Sequence, residues 1–83
     1  MSRTVTFTDT GWTDYLYWRH TDQAMLGKLN RMIDEIRSNG NAGGAGSPEA
    51  LRQNLSGWWS RRIDHEHRIV YRSDDDNAVV IAC

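Results

Sequence analysis

The groups able to do chemistry are concentrated in eighteen residues. The run from Leu55 to Arg72, LSGWWSRRIDHEHRIVYR, carries two adjacent tryptophans, four arginines and two histidines, with Glu49 and Arg52 just upstream. An arginine guanidinium is a planar fork of donors that matches phosphate oxygens two at a time. Metal-free RNA cleavage needs such a cation at phosphorus, a base to take the 2′-hydroxyl proton and an acid to protonate the leaving 5′-oxygen. Glu49 or Glu66 can serve as the base and Arg62 or Arg68 as the fork. Trp58, Trp59 or Tyr71 can stack an unpaired base, a contact worth about 1–3 kcal/mol. The competing reading is structural: tryptophans in a core, and arginines paired with Asp64, Glu66 and the Asp74 to Asp76 run.

Other chemistries fit less well. His65 and His67 are two apart on a turn and could be joined by Asp64 and Glu66, but side chains at that spacing do not converge and no third His or Cys is close in sequence. No metal and no cofactor is expected. Ser56 and Ser60 have no evident base partner in sequence, and Cys83, in an apolar strand, reads as a small apolar residue. The run NGNAGGAGSP, Asn39 to Pro48, lacks the Gly-Lys-Ser/Thr of a phosphate-binding loop and follows a helix rather than a strand, so it reads as a flexible surface loop.

Bulk properties set the limits. At 83 residues the chain is expected to be one domain, 1–83, too small for a cofactor-sized interior. A single cysteine excludes an internal disulfide and points to a reducing cytoplasm; no apolar run approaches a membrane span and no signal peptide is visible, so no membrane is expected. The net charge of −1 argues against a generic nucleic-acid binder, yet residues 51–72 hold five arginines against two acids, a local +3. An anionic ligand would meet that half.

The elements that must position these groups follow from periodicity. TVTFT, Thr4 to Thr8, alternates as a short strand. Thr8 or Asp9 then caps a first helix carrying Trp12, Tyr15, Leu16 and Arg19, and Thr21 or Asp22 caps a second, striped by Met25, Leu26, Leu29, Met32, Ile33 and Ile36. After the glycine loop, LRQNL, GWWSRRI, HRIVYR and AVVIAC read as four strands, the last one central. The order βααββββ predicts an α+β domain, an antiparallel β-sheet with two helices packed on one face.

Five segments carry a family resemblance: WTDYLYW, PEAL, NLSGWWSRRI, EHRIVY and VVIAC together resemble the Txe/YoeB toxins of the RelE superfamily, nearly end to end. The resemblance implies the toxin component of a type II toxin–antitoxin system. Such a toxin is a metal-independent endoribonuclease that cuts mRNA in the ribosomal A site and inhibits translation, works in the cytoplasm, is silenced by a YefM-like antitoxin and commonly dimerises. It makes Glu49 the general base and Arg68 the phosphate clamp, with Arg62 and Glu66 in support. Arg52 stands at a basic position facing RNA, and Arg61, Arg62 and Trp58 complete the expected RNA-binding set. The family's pattern continues after IAC with Arg-Tyr-His-Tyr, whose histidine is the implied general acid; both it and the final tyrosine fall past Cys83. A missing acid typically costs about 10²–10⁴-fold, so the 83 residues by themselves are expected to be catalytically crippled. The alternative is a non-catalytic antitoxin- or ribosome-binding protein of the same fold.

Overall fold

The computed structural model describes residues 3–83. A short strand β1 (Thr4–Phe7) leads into α1 (Asp9–Thr21) and α2 (Gln23–Asn39); after the glycine loop come β2 (Glu49–Ala50), a 3-10 turn (Gln53–Leu55), β3 (Trp59–Arg62), β4 (Arg68–Ser73) and β5 (Asn77–Ala82). Thr8 caps α1, its hydroxyl accepting from the Gly11 N–H at 3.2 Å. Asp22 both ends α1 and starts α2: its N–H donates to the Trp18 carbonyl and its carboxylate accepts from the Met25 N–H at 3.1 Å. One residue thereby satisfies orphan groups of two helices and fixes their hairpin.

The five strands form one sheet in the order β1-β5-β4-β3-β2. The three hairpin-linked pairs are antiparallel as expected, but β1 joins β5 in parallel, with Val5 opposite Ala78 and Phe7 opposite Val80. The helical pair between β1 and the rest of the sheet is a long crossover, which lets two strands of one sheet run the same way. A second correction concerns β2. It occupies only Glu49–Ala50 rather than LRQNL, because Gln53 adopts a positive φ of 58° and the Leu55 and Ser56 N–H groups turn back onto the Arg52 and Gln53 carbonyls.

Cross-strand register sorts the sheet residues by face, since alternate residues of a strand point opposite ways. Trp59, Arg61, Ile69, Tyr71, Ala78 and Val80 share the helix-covered face. They pack with Trp18 and with Met25, Leu29, Met32, Ile33 and Ile36 of α2, the predicted stripe with Leu26 at its margin. Full burial of an aliphatic side chain stabilises by about 1.5–3 kcal/mol, and Leu29, Ile36, Ile69 and Val80 are essentially sealed. β5 lies between β1 and β4; its Ala78 and Val80 are buried, while Val79 and Ile81 on the other face are half-buried.

Candidate active site

The opposite face of the sheet is open, and register places Glu49, Ser60, Arg62, Arg68 and Arg72 on it. Glu49 pairs with Ser60, Ser60 with Val70, and Arg62 lies directly across from Arg68. Like charges directly opposite on a sheet repel. Among the described residues Arg62 makes no ion pair, and Arg68 has one acidic partner: its Nη1 lies 3.8 Å from Glu49 Oε1. Glu49, Arg62 and Arg68 share one face because β2, β3 and β4 are sheet neighbours. The same Arg68 Nη1 donates to Ser60 Oγ at 3.1 Å. Ser60 is only 2% exposed, so its hydroxyl is a fixed acceptor beneath the half-exposed Arg68 side chain. Sequence reasoning looked for a base beside Ser60 and missed this role, although alternation along WSRR already puts Ser60 on the face of Arg62.

Glu66 sits apart, on the exposed β3–β4 turn. Its carboxylate is 3.9 Å from His67 Nε2 and pairs with no arginine among the described residues. The turn is built by Asp64, whose Oδ1 accepts from the Glu66 and His67 N–H groups at 2.8 and 2.7 Å; those two bonds hold its carboxyl down to about 2. His67, placed on the turn by its sequence, lies edge-on to Trp18 with ring centroids 4.8 Å apart. Arg52 is exposed beyond β2, and Trp58 is half-buried with the Arg72 guanidinium 4.8 Å over its ring.

The expectations for Arg61, Tyr71, Trp59 and the glycine run are corrected. Arg61, expected to face RNA, is wholly buried on the helix side of the sheet. Its Nε donates to Tyr71 Oη at 2.8 Å, and its two terminal nitrogens donate to the carbonyls of Ala45 (3.2 Å), Gly40 (3.0 Å) and Asn41 (3.3 Å). A buried guanidinium is tolerated only when its donors are matched and its charge is offset, here by Glu35 Oε2 at 3.6 Å. Tyr71, proposed as a stacking platform, is equally sealed, and its hydroxyl is pushed above the usual range mainly by that burial. Trp59 shares their face and packs against the core. The glycine run is a surface loop as expected, with Ala42, Gly44, Ala45 and Ser47 exposed, but it is tied down by Arg61, and Gly40 at its start is buried.

Cys83 is no nucleophile: burial first, and the Asp14 carboxylate second, push its thiol up to about 12. Among the described residues no group of three or more His, Cys, Asp or Glu side chains is placed to hold a metal ion, and no helix is long and apolar enough to cross a membrane. A concavity of about 830 Å³ lies between β1 and the helices, lined by Phe7, Trp12, Tyr15 and Arg37 among others. None of the candidate residues lines it. A polymer is gripped by an open charged surface rather than a pocket, so the shallow sheet face is the better candidate.

Two helices cover one face of a five-stranded mixed sheet, and an arginine pair and a carboxylate stand on its bare face. YafQ from E. coli strain BL21(DE3), at 14% identity, shares the fold with a TM-score of 0.77 over 96% of this chain and 89% of that one. Residues 7–83 match the model of the YoeB-like toxin of bacterial type II toxin-antitoxin system. Toxin YoeB of Escherichia coli (strain K12) is 46% identical over 77 residues, 93% of this chain and 90% of that protein. The structure of the YoeB dimer from Staphylococcus aureus superposes with a TM-score of 0.92 at 40% identity, covering 100% of this chain and 95% of that one. The heterotetrameric YoeB-YefM toxin-antitoxin complex from the same organism gives 0.91 at 40% identity, again over 100% and 95% of the two chains. The chain belongs to the YoeB-like toxin family of bacterial type II toxin–antitoxin systems.

Proposed function

We propose that this toxin is a metal-independent endoribonuclease that cuts ribosome-bound mRNA in the A site and so stops translation in the cytoplasm. The observation that carries the reading is the Arg62–Arg68 pair, directly opposed on an open sheet face with the Glu49 carboxylate 3.8 Å from Arg68. Two arginines directly opposed on one sheet face are both stabilised by an anion they can share, and a scissile phosphate is such an anion. Glu49 takes the 2′-hydroxyl proton and the 2′-oxygen attacks phosphorus. Arg68, with Arg62 beside it, stabilises the charge that gathers on the phosphoryl oxygens. The bond to the 5′-oxygen breaks, leaving a 2′,3′-cyclic phosphate, and the leaving oxygen takes a proton from a general acid. The family's pattern assigns that acid to the histidine of an Arg-Tyr-His-Tyr segment that comes after the IAC element. Arg52 and Trp58 grip the flanking RNA, and Glu66 shapes the rim at the turn.

A YefM-like antitoxin silences the toxin, and the toxin itself pairs as a homodimer; the complexes of the Staphylococcus aureus relative support both. Primer extension on ribosome-bound mRNA tests the catalytic reading, run with the 83-residue chain and with the chain carrying Arg-Tyr-His-Tyr after Cys83. The extended chain is expected to cut in the A-site codon, the shorter one to cut about 10²-fold less or worse, and Arg68→Ala to abolish cutting while ribosome binding survives. Equal cutting by both chains overturns the assignment of the acid. No cutting by either, together with co-purification of a small acidic protein, assigns a non-catalytic binding role instead.

A further inference from the structure

We propose that Arg61 is a positioning residue for Glu49: from the buried side of the sheet it locks the segment 40–48 so that Glu49 emerges on the open side beside Arg68. The inference rests on the reading of Glu49 as the base. Arg61 holds that segment at its start, through the carbonyls of Gly40 and Asn41, and again at Ala45, whose carbonyl also accepts from it. Glu35 closes the clamp from α2, accepting from the Ala45 N–H at 2.9 Å while facing Arg61. Tyr71 adds a second tie, its hydroxyl donating to the Asn41 carbonyl while accepting from Arg61 Nε.

The last anchor is the neighbouring residue, Arg62, whose N–H donates to the Gly46 carbonyl at 2.7 Å. Only Ser47 and Pro48 separate that anchor from Glu49. Three consecutive residues of β3 therefore organise the site from both faces: Ser60 pairs with Glu49 and holds Arg68, Arg61 clamps the loop, and Arg62 anchors its exit while presenting its own side chain. The glycines serve the clamp. At Gly44, with φ +103°, a Cβ would lie 2.6 Å from Glu35 Oε2 and 2.7 Å from Arg61 Nη1, so a side chain there would displace the guanidinium or its counter-ion. Lysine cannot replace the arginine, because one ammonium cannot reach a hydroxyl and three carbonyls set out for a planar fork.

Arg61→Lys, Tyr71→Phe and Glu35→Gln test this, measured by cleavage of ribosome-bound mRNA, by ribosome affinity, by amide exchange at Ala45 and Arg62, and by the NMR signal of the Arg68 guanidinium. Arg61→Lys is expected to lose about 10- to 100-fold in cleavage rate, with ribosome affinity unchanged, faster exchange at both amides and a shifted Arg68 signal. Tyr71→Phe and Glu35→Gln are expected to lose less in the same pattern, and they carry the test if Arg61→Lys does not fold. Folded variants with loosened amides but wild-type cleavage overturn the proposal. The cleavage arm uses the chain carrying Arg-Tyr-His-Tyr after Cys83; if that chain does not cut, the catalytic reading fails separately, and the Arg68 signal decides: a shift in the variants upholds the positioning of Glu49 against Arg68, and an unmoved signal sinks it.

Discussion

Ser60→Ala removes a single oxygen and is the sharpest probe of the open face. Ser60 Oγ is the acceptor that holds Arg68 Nη1 at 3.1 Å, and the other anchor of that guanidinium is a carboxylate 3.8 Å away. A hydrogen bond to a charged group contributes about 1.5–3 kcal/mol. The Arg68 side chain is 45% exposed and regains water on losing the bond, so the low end applies. About 1.5 kcal/mol is close to tenfold in rate. Alanine leaves no buried acceptor unpaired and changes little volume, so folding should be nearly unaffected. The assay is a double-mutant cycle with Arg68→Ala, reading initial cleavage rates on ribosome-bound mRNA from the form of the chain that cuts. Ser60→Ala should cost roughly tenfold in the wild-type background and nothing once Arg68 is gone, a coupling of about 1.5 kcal/mol. If the serine change costs the same in both backgrounds, the two side chains act independently and the reasoning fails.

The two helical glycines should respond in opposite directions. A Cβ on Gly11 would lie 2.4 Å from the Val80 carbonyl oxygen, so Gly11→Ala must push α1 off β5, costing about 1–3 kcal/mol; the lost Tm should be about 4–8 °C per kcal/mol by calorimetry. Gly27 on α2 meets nothing within 4 Å, so Gly27→Ala should stabilise by about 0.5–1 kcal/mol in the same scan. Asp64 has a folded pKa of about 2, below its ordinary 3.8, so its support of the β3–β4 turn is complete above about pH 4 and fades as the pH falls toward 2. NMR should show the Glu66 and His67 amide signals moving across that window, and the same window persisting in Asp64→Ala would refute the assignment. The Cys83 thiol, held up to about 12, should resist alkylation at pH 8 in the folded chain and react on unfolding; prompt labelling of the native protein would contradict its burial.

Local chemistry reached far into this protein. Alternation in TVTF, the 3/4 stripe of α2 and the three later strands are short-range signals that stand where they are read, and of the paired cap candidates the structure takes Thr8 over Asp9 and Asp22 over Thr21. The segments that resemble the YoeB-like toxins were also legible, because they are contiguous. What sequence could not decide was facing. WSRR holds two neighbouring arginines with nothing in their type to separate them. Only the pairing of β3 with β4 sends Arg61 into a cage of carbonyls and Arg62 out toward Arg68, since a one-residue change of register exchanges the two faces. The glycine run looked slack for the same reason, its restraint arriving from a residue about twenty positions later in the chain. β1 could not be oriented either, because a parallel partner reached by a crossover leaves no turn signature in the sequence. Residue types and their spacing determine which elements form and which groups are on hand; sheet order and register alone decide that Glu49, Ser60, Arg62 and Arg68 share a surface.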